Sequence, residues 1–113
     1  MKEPIKTKMQ LYTLECICTL YDNVCKLSES SGLNHESKEY LVAKNIIDLL
    51  ILKLKKQILN KKDTKKPFKV SFQYFEAYYL VNFLSSNATC FKGEFERVLL
   101  LELTRKLHQD LSI

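Results

Sequence analysis

The residues able to do chemistry are few, and their spacing does not gather them. Cysteines stand at 16, 18, 25 and 90, and histidines at 35 and 108. A zinc site needs thiolates and imidazoles converging on one tetrahedral centre, which Cys-x-x-Cys runs supply. Cys16-x-Cys18 lacks that spacing, and neither histidine stands beside a cysteine. On a helix, Cys18 and Cys25 share a face two turns apart while Cys16 points away. The thiols are therefore expected as small core residues. His35 reads as an exposed loop residue, and His108 as a complement to the negative end of its helix. Glu36 with Glu39, and Glu94 with Glu96, fall at expected helix starts, where acids suit the dipole. Asp48 lies amid apolar residues but on a strip with Lys44 and Lys55, so a solvated or ion-paired carboxylate is expected. No Glu-x-x-His pair of the di-iron kind occurs. Gly32 and Gly93 are the only glycines, so no Gly-rich loop can cradle a phosphate. The expectation is a chain without catalysis, cofactor or metal.

Charge is the sharper feature. The net charge is +5. Residues 53–69 hold lysines 53, 55, 56, 61, 62, 65, 66 and 69 against Asp63 alone, so that window is +7 and the remainder −2. Such a segment can contact phosphates, with Lys61, Lys62, Lys65, Lys66 and Lys69 as the candidate nucleic-acid contacts. It contains no arginine, and Phe68 is its one aromatic, which limits base reading and stacking.

The elements that must position these residues read as helices. Two Gly and two Pro in 113 residues suit long helices and few tight turns. Apolar residues recur every three or four positions over residues 5–27, through Ile5, Met9, Tyr12, Cys16, Leu20, Val24 and Leu27, and the Ser-rich stretch 28–32 ends that helix. A second helix is expected from Asn34 or Ser37 to about Asn60, with Tyr40, Ala43, Ile47, Leu50, Leu54 and Ile58 as its main stripe. Residues 68–74 alternate apolar and polar. They fit a short strand, or an extended lead-in with Ser71 as N-cap. The lead-in is preferred, because Phe72, Phe75, Tyr79 and Phe83 already show helical spacing. A third helix is expected over 72–85 and a fourth over 94–111. The fold expected is all-α, a four-helix up-and-down bundle in one domain over residues 1–113, with at most one short extended segment near 68–72. The longest apolar run, Ala77 to Val81, is far short of the roughly 20 residues of a membrane span. With no apolar signal segment behind the first charges, a reducing, cytoplasmic setting is expected.

Residues 67–111 resemble a ribbon-helix-helix unit, a strand followed by two helices. The resemblance spans less than half of the chain. It implies a strand paired with that of a dimer mate, and Lys69, Ser71 and Gln73 directed at the major groove.

The first and third helices carry more apolar surface than one core face needs. The function expected is that of a small interaction or regulatory protein, acting as a homodimer or with a protein partner. Leu11, Leu14, Tyr21, Tyr74 and Tyr78 are the candidate interface residues, since Tyr couples apolar area to a polar tip. The alternative is a nucleic-acid-binding protein using residues 53–69.

Overall fold

Ile5, Thr7 and Met9 point one way along the chain, and Lys6 and Lys8 the other. In the computed structural model, which describes residues 4–31, 38–61, 65–87 and 93–111, this segment is a strand, β1 (Ile5–Met9). It pairs antiparallel with a second strand, β2 (Phe68–Phe72), with Thr7 opposite Val70 and Lys8 opposite Lys69. Two sequence expectations are corrected here. The first helix does not begin at Ile5, and 68–72 is a strand and not a lead-in. The physical reason is shared: five residues cannot hold a strand alone, so each needed its partner. The strand partner of β2 is also β1 of the same chain, unlike the dimer-mate pairing that the ribbon-helix-helix resemblance implies.

Four helices complete the described chain: α1 (Leu11–Ser31), α2 (Lys38–Asn60), α3 (Tyr74–Asn87) and α4 (Glu94–Leu111). The fold is thus mostly helical with a two-stranded antiparallel ribbon. α1 starts where the Gln10 carbonyl accepts from the Thr13 and Leu14 amides. It continues to Ser31, through serines expected to end it. α3 starts with one half of a capping box: the Glu76 carboxylate accepts from the Gln73 amide at 2.8 Å, three residues back. α4 has the expected bounds, with Glu94 and Glu96 in its first turn and His108 in its last.

One apolar cluster joins all six elements. β1 contributes Met9, and β2 contributes Val70 and Phe72. Leu14, Ile17 and Leu20 come from α1; Ile47, Leu50, Ile51 and Leu54 from α2. Ala77, Leu80 and Leu84 of α3, and Leu100, Leu103 and Leu107 of α4, close it. α1 packs on α2 and α4, and α3 packs on the same two helices. The Tyr74 hydroxyl donates to the Leu111 carbonyl at 3.2 Å, so the start of α3 lies at the end of α4. The Tyr12 and Phe95 rings stack 6.1 Å apart, so the starts of α1 and α4 also meet. A plain up-and-down order would bring the start of α1 to the end of α4. Among the described residues, no helix is long and apolar enough to cross a membrane.

Candidate functional site

The second half of α1, the first half of α2 and the second half of α3 enclose an open groove of about 840 Å³. Tyr21 donates its hydroxyl proton to Asp48 across it. The Lys44 ammonium lies 3.1 Å from the other oxygen of Asp48. Burial, and the carboxylate accepting its proton, push the Tyr21 phenol well above its ordinary range. Its ring tilts against Phe83 at 6.3 Å. Tyr21 is therefore a fixed donor, with no tendency to act as base or nucleophile at neutral pH. The expectation for Asp48 as an ion-paired acid matches this geometry.

The thiols have the same character. Burial pushes Cys18 up to about 11 and raises Cys16 as well. A thiol held protonated is a poor nucleophile and a poor metal ligand. Among the described residues, no three His, Cys, Asp or Glu converge as a metal site. His35 and Cys90 lie outside the described residues. At the starts of α1 and α4, Tyr12 donates to Glu96 at 2.6 Å. That bond pushes the phenol up to about 12 and holds Glu96 below its usual value. Both polar clusters are closed on themselves, with each charge or phenol already satisfied.

The five candidate interface residues are dispersed. Leu14 has no exposed surface and belongs to the core. Its correction follows from the inner arc of α1 taking in both apolar stripes, Cys16 and Leu20 of one with Leu14 and Cys18 of the other. Leu11 is half-buried at the start of α1. Tyr21 is tied up in the groove, and Tyr74 is half-buried against Leu111. Tyr78 alone is largely exposed, edge-on to Tyr79 at 5.4 Å.

Sequence reasoning missed the outer face of α2. Leu41, Leu49, Leu52 and Leu59 all face solvent there, with Val42 beside them; Leu49 is 62% exposed and Leu52 57%. The signal was present in the spacing 41, 45, 49, 52, 56, 59, which is one helical face. It was hidden because the inner stripe already accounts for a buried helix. Val42 and Tyr78 both line the groove, so the apolar surface of α2 continues onto α3.

The lysine window divides in two. Lys53 donates to the Ser71 carbonyl at 2.7 Å and pairs with Glu76 at 3.2 Å. Lys55 pairs with Asp22 at 3.5 Å. Lys61 sits over the Phe68 ring at 5.7 Å. Lys65, Lys66 and Lys69 are exposed, and Lys62 lies outside the described residues. Lys6 and Lys8 of β1, which no charge count of residues 53–69 includes, stand exposed beside Lys69 and Ser71 on the ribbon. Gln73 is exposed at the start of α3, its amide held by Glu76.

No family model, no curated protein and no solved structure matches the chain.

Proposed function

We propose that the chain is a non-catalytic association module, and that its partner is a second copy bound through the outer face of α2. The observation that carries this reading is the exposed leucine stripe of α2 and its self-complementary order. Reversed about a point between Leu49 and Leu52, Leu49 falls on Leu52, Val42 on Leu59, and Asn45 on Lys56. That near-palindrome suits an antiparallel pair of α2 helices across a two-fold axis, an isologous contact. Asn45 can accept from Lys56 of the partner subunit at each flank.

The magnitude points to a weak, concentration-dependent dimer. Burying a half-exposed leucine is worth about 1 kcal/mol, so the four of each copy together bring about 8 kcal/mol. Association itself costs at least about 4 kcal/mol. Tyr78, exposed on α3 and lining the groove with Val42, extends the same surface. The absence of catalysis in this reading is supported by the closed Tyr21–Asp48–Lys44 cluster and the protonated thiols. A reducing, cytoplasmic setting is supported by the free, buried Cys16 and Cys18. Within this reading, α2, α3 and α4 keep the alternating order of an up-and-down bundle, supported by Lys53–Glu76 and Tyr74–Leu111, while α1 crosses it.

Sedimentation equilibrium over a concentration series tests the proposal. The native chain is expected to shift from monomer to dimer, and Leu52→Asp to remain monomeric with unchanged helix content by circular dichroism. A native chain that stays monomeric throughout, or a Leu52→Asp chain that dimerises as well as the native one, would overturn it.

A further inference from the structure

We infer that the outer face of the β1–β2 ribbon, with the lysines at its edge, binds the phosphate backbone of nucleic acid. Lys6, Lys8 and Lys69 leave the ribbon on one side, with Ser71 opposite Lys6. Thr7, Met9, Val70 and Phe72 leave it on the other and are buried. Lys8 and Lys69 are direct cross-strand neighbours, about 4.5–5.5 Å apart at their Cβ atoms, where like charges destabilise a ribbon. Fold stability alone would favour an opposite charge or a threonine pair at that position. Lys61 lies over the Phe68 ring at the end of the ribbon, and Lys65 and Lys66 stand exposed on the approach to β2.

Among the described residues, none of these six lysines takes part in an ion pair. Lys53 and Lys55, inside the basic window, do. The fold thus pairs Lys53 and Lys55 of α2 with acids, while Lys6, Lys8 and Lys69, from two distant segments, share one face of the ribbon with no ion pair among the described residues.

The chemistry of that face selects the partner. Lysine is a point-charge donor suited to phosphate oxygens. The face has no arginine fork and no exposed aromatic for reading or stacking bases. Recognition is therefore of the backbone, without sequence preference. Lys6 and Lys8 are about 6.8 Å apart along the strand. That spans two base-pair steps along a duplex axis, at about 3.4 Å each. A two-stranded ribbon also fits the major groove in width. An anionic membrane is disfavoured, because a membrane-surface element needs apolar side chains to insert. No large apolar side chain of either strand is among the exposed ones.

Fluorescence anisotropy of a labelled random-sequence DNA duplex, at several salt concentrations, tests this on the full chain. The native protein is expected to bind at low salt. The double variant Lys8→Thr with Lys69→Thr is expected to lose about tenfold in affinity, and its slope of log K against log salt to flatten by about two. Lys26→Gln with Lys38→Gln removes the same charge from other parts of the chain and is expected to leave the slope unchanged. Lysine acetylation of the native protein, read by mass spectrometry with and without duplex, is an independent measure: Lys6, Lys8 and Lys69 are expected to be protected. Absence of binding at low salt, equal losses from both double variants, no protection of those three lysines, or capture by phosphatidylserine vesicles without binding to the duplex would each overturn the inference.

Discussion

Thr7 stands directly opposite Val70 across the ribbon, and both side chains are buried. The Thr7 hydroxyl has no hydrogen-bond partner among the described residues. A buried hydroxyl without a partner forfeits its hydration and receives nothing in return. Its methyl group and branched shape serve the strand; its oxygen does not. Thr7→Val keeps the shape and removes the oxygen. The variant is expected to be more stable by about 1–2 kcal/mol. Urea unfolding should show a higher midpoint with an unchanged slope. A lower midpoint would mean that the hydroxyl is satisfied in solution.

Alkaline pH should undo the fold in two stages. An unfolded cysteine loses its proton near about pH 8.5, whereas burial holds the Cys18 thiol protonated up to about 11. A folded-state value raised above the unfolded one contributes stability that is complete below the unfolded value. That stability is lost as pH rises through the folded one. The Tyr21 phenol, raised by burial and its bond to Asp48, adds a second loss above about pH 10. The urea midpoint is therefore expected to be level up to about pH 8.5 and to fall beyond it. Cys18→Ala should flatten the first part of the decline, and Tyr21→Phe the part above about pH 10. At neutral pH, Tyr21→Phe should cost about 1 kcal/mol for the lost hydrogen bond. A midpoint that stays level through pH 11 would show that neither group is held protonated by the fold.

Lys53 and Lys69 lie in the same basic window and should behave in opposite ways. The Lys53 ammonium donates to the Ser71 carbonyl, pairs with Glu76, and lies 5.9 Å from the centre of the Phe72 ring. It ties β2 and the start of α3 to α2. Its side chain is 40% exposed, so the ion pair itself is screened and worth little. The carbonyl bond gives the larger share. Lys53→Met is expected to cost about 1 kcal/mol and to leave duplex affinity almost unchanged. Lys69→Thr removes a like-charge neighbour and is expected to cost nothing in stability, while weakening duplex binding. Anisotropy and urea unfolding on the same two variants make the comparison. If Lys53→Met weakens duplex binding as much as Lys69→Thr, Lys53 belongs to the binding face.

The elements that could be read from the sequence are those whose signals are local. α4 carries its own acids at one end and a histidine at the other, and its bounds follow. The inner stripe of α2 is a run of core residues at helical spacing. β1 could not be read this way, because Ile5-Lys6-Thr7-Lys8-Met9 alternates at period two while Ile5 and Met9 also satisfy a helical repeat. The deciding partner, Phe72 opposite Ile5, comes more than sixty residues later. The same missing partner hid the ribbon face. Eight lysines were visible as a charge run, but which of them would be neutralised depended on Asp22 and Glu76, brought close only by the fold. Leu14 shows the corresponding limit for apolar residues: both stripes of α1 turn inward around Ile17, and spacing alone does not say which of their residues stay outside.

The orientation of the proposed dimer has a test of its own. In the antiparallel arrangement, Leu49 faces Leu52 of the partner subunit, at two symmetric places. Leu49→Glu sets a carboxylate against leucine at both, and dimer affinity should fall at least about tenfold. Adding Leu52→Lys sets opposite charges together at both places, so affinity should recover in part. A parallel pair would bring residue 49 of one copy to residue 49 of the other. The double variant would then place like charges in contact and recover nothing. Leu49→Lys with Leu52→Lys controls for general polarity on α2 and should remain monomeric in either arrangement. Sedimentation equilibrium on the three variants therefore separates three cases. Recovery supports the two-fold axis between Leu49 and Leu52. Loss without recovery keeps α2 as the contact but reverses its direction. No loss from Leu49→Glu removes α2 from the contact altogether.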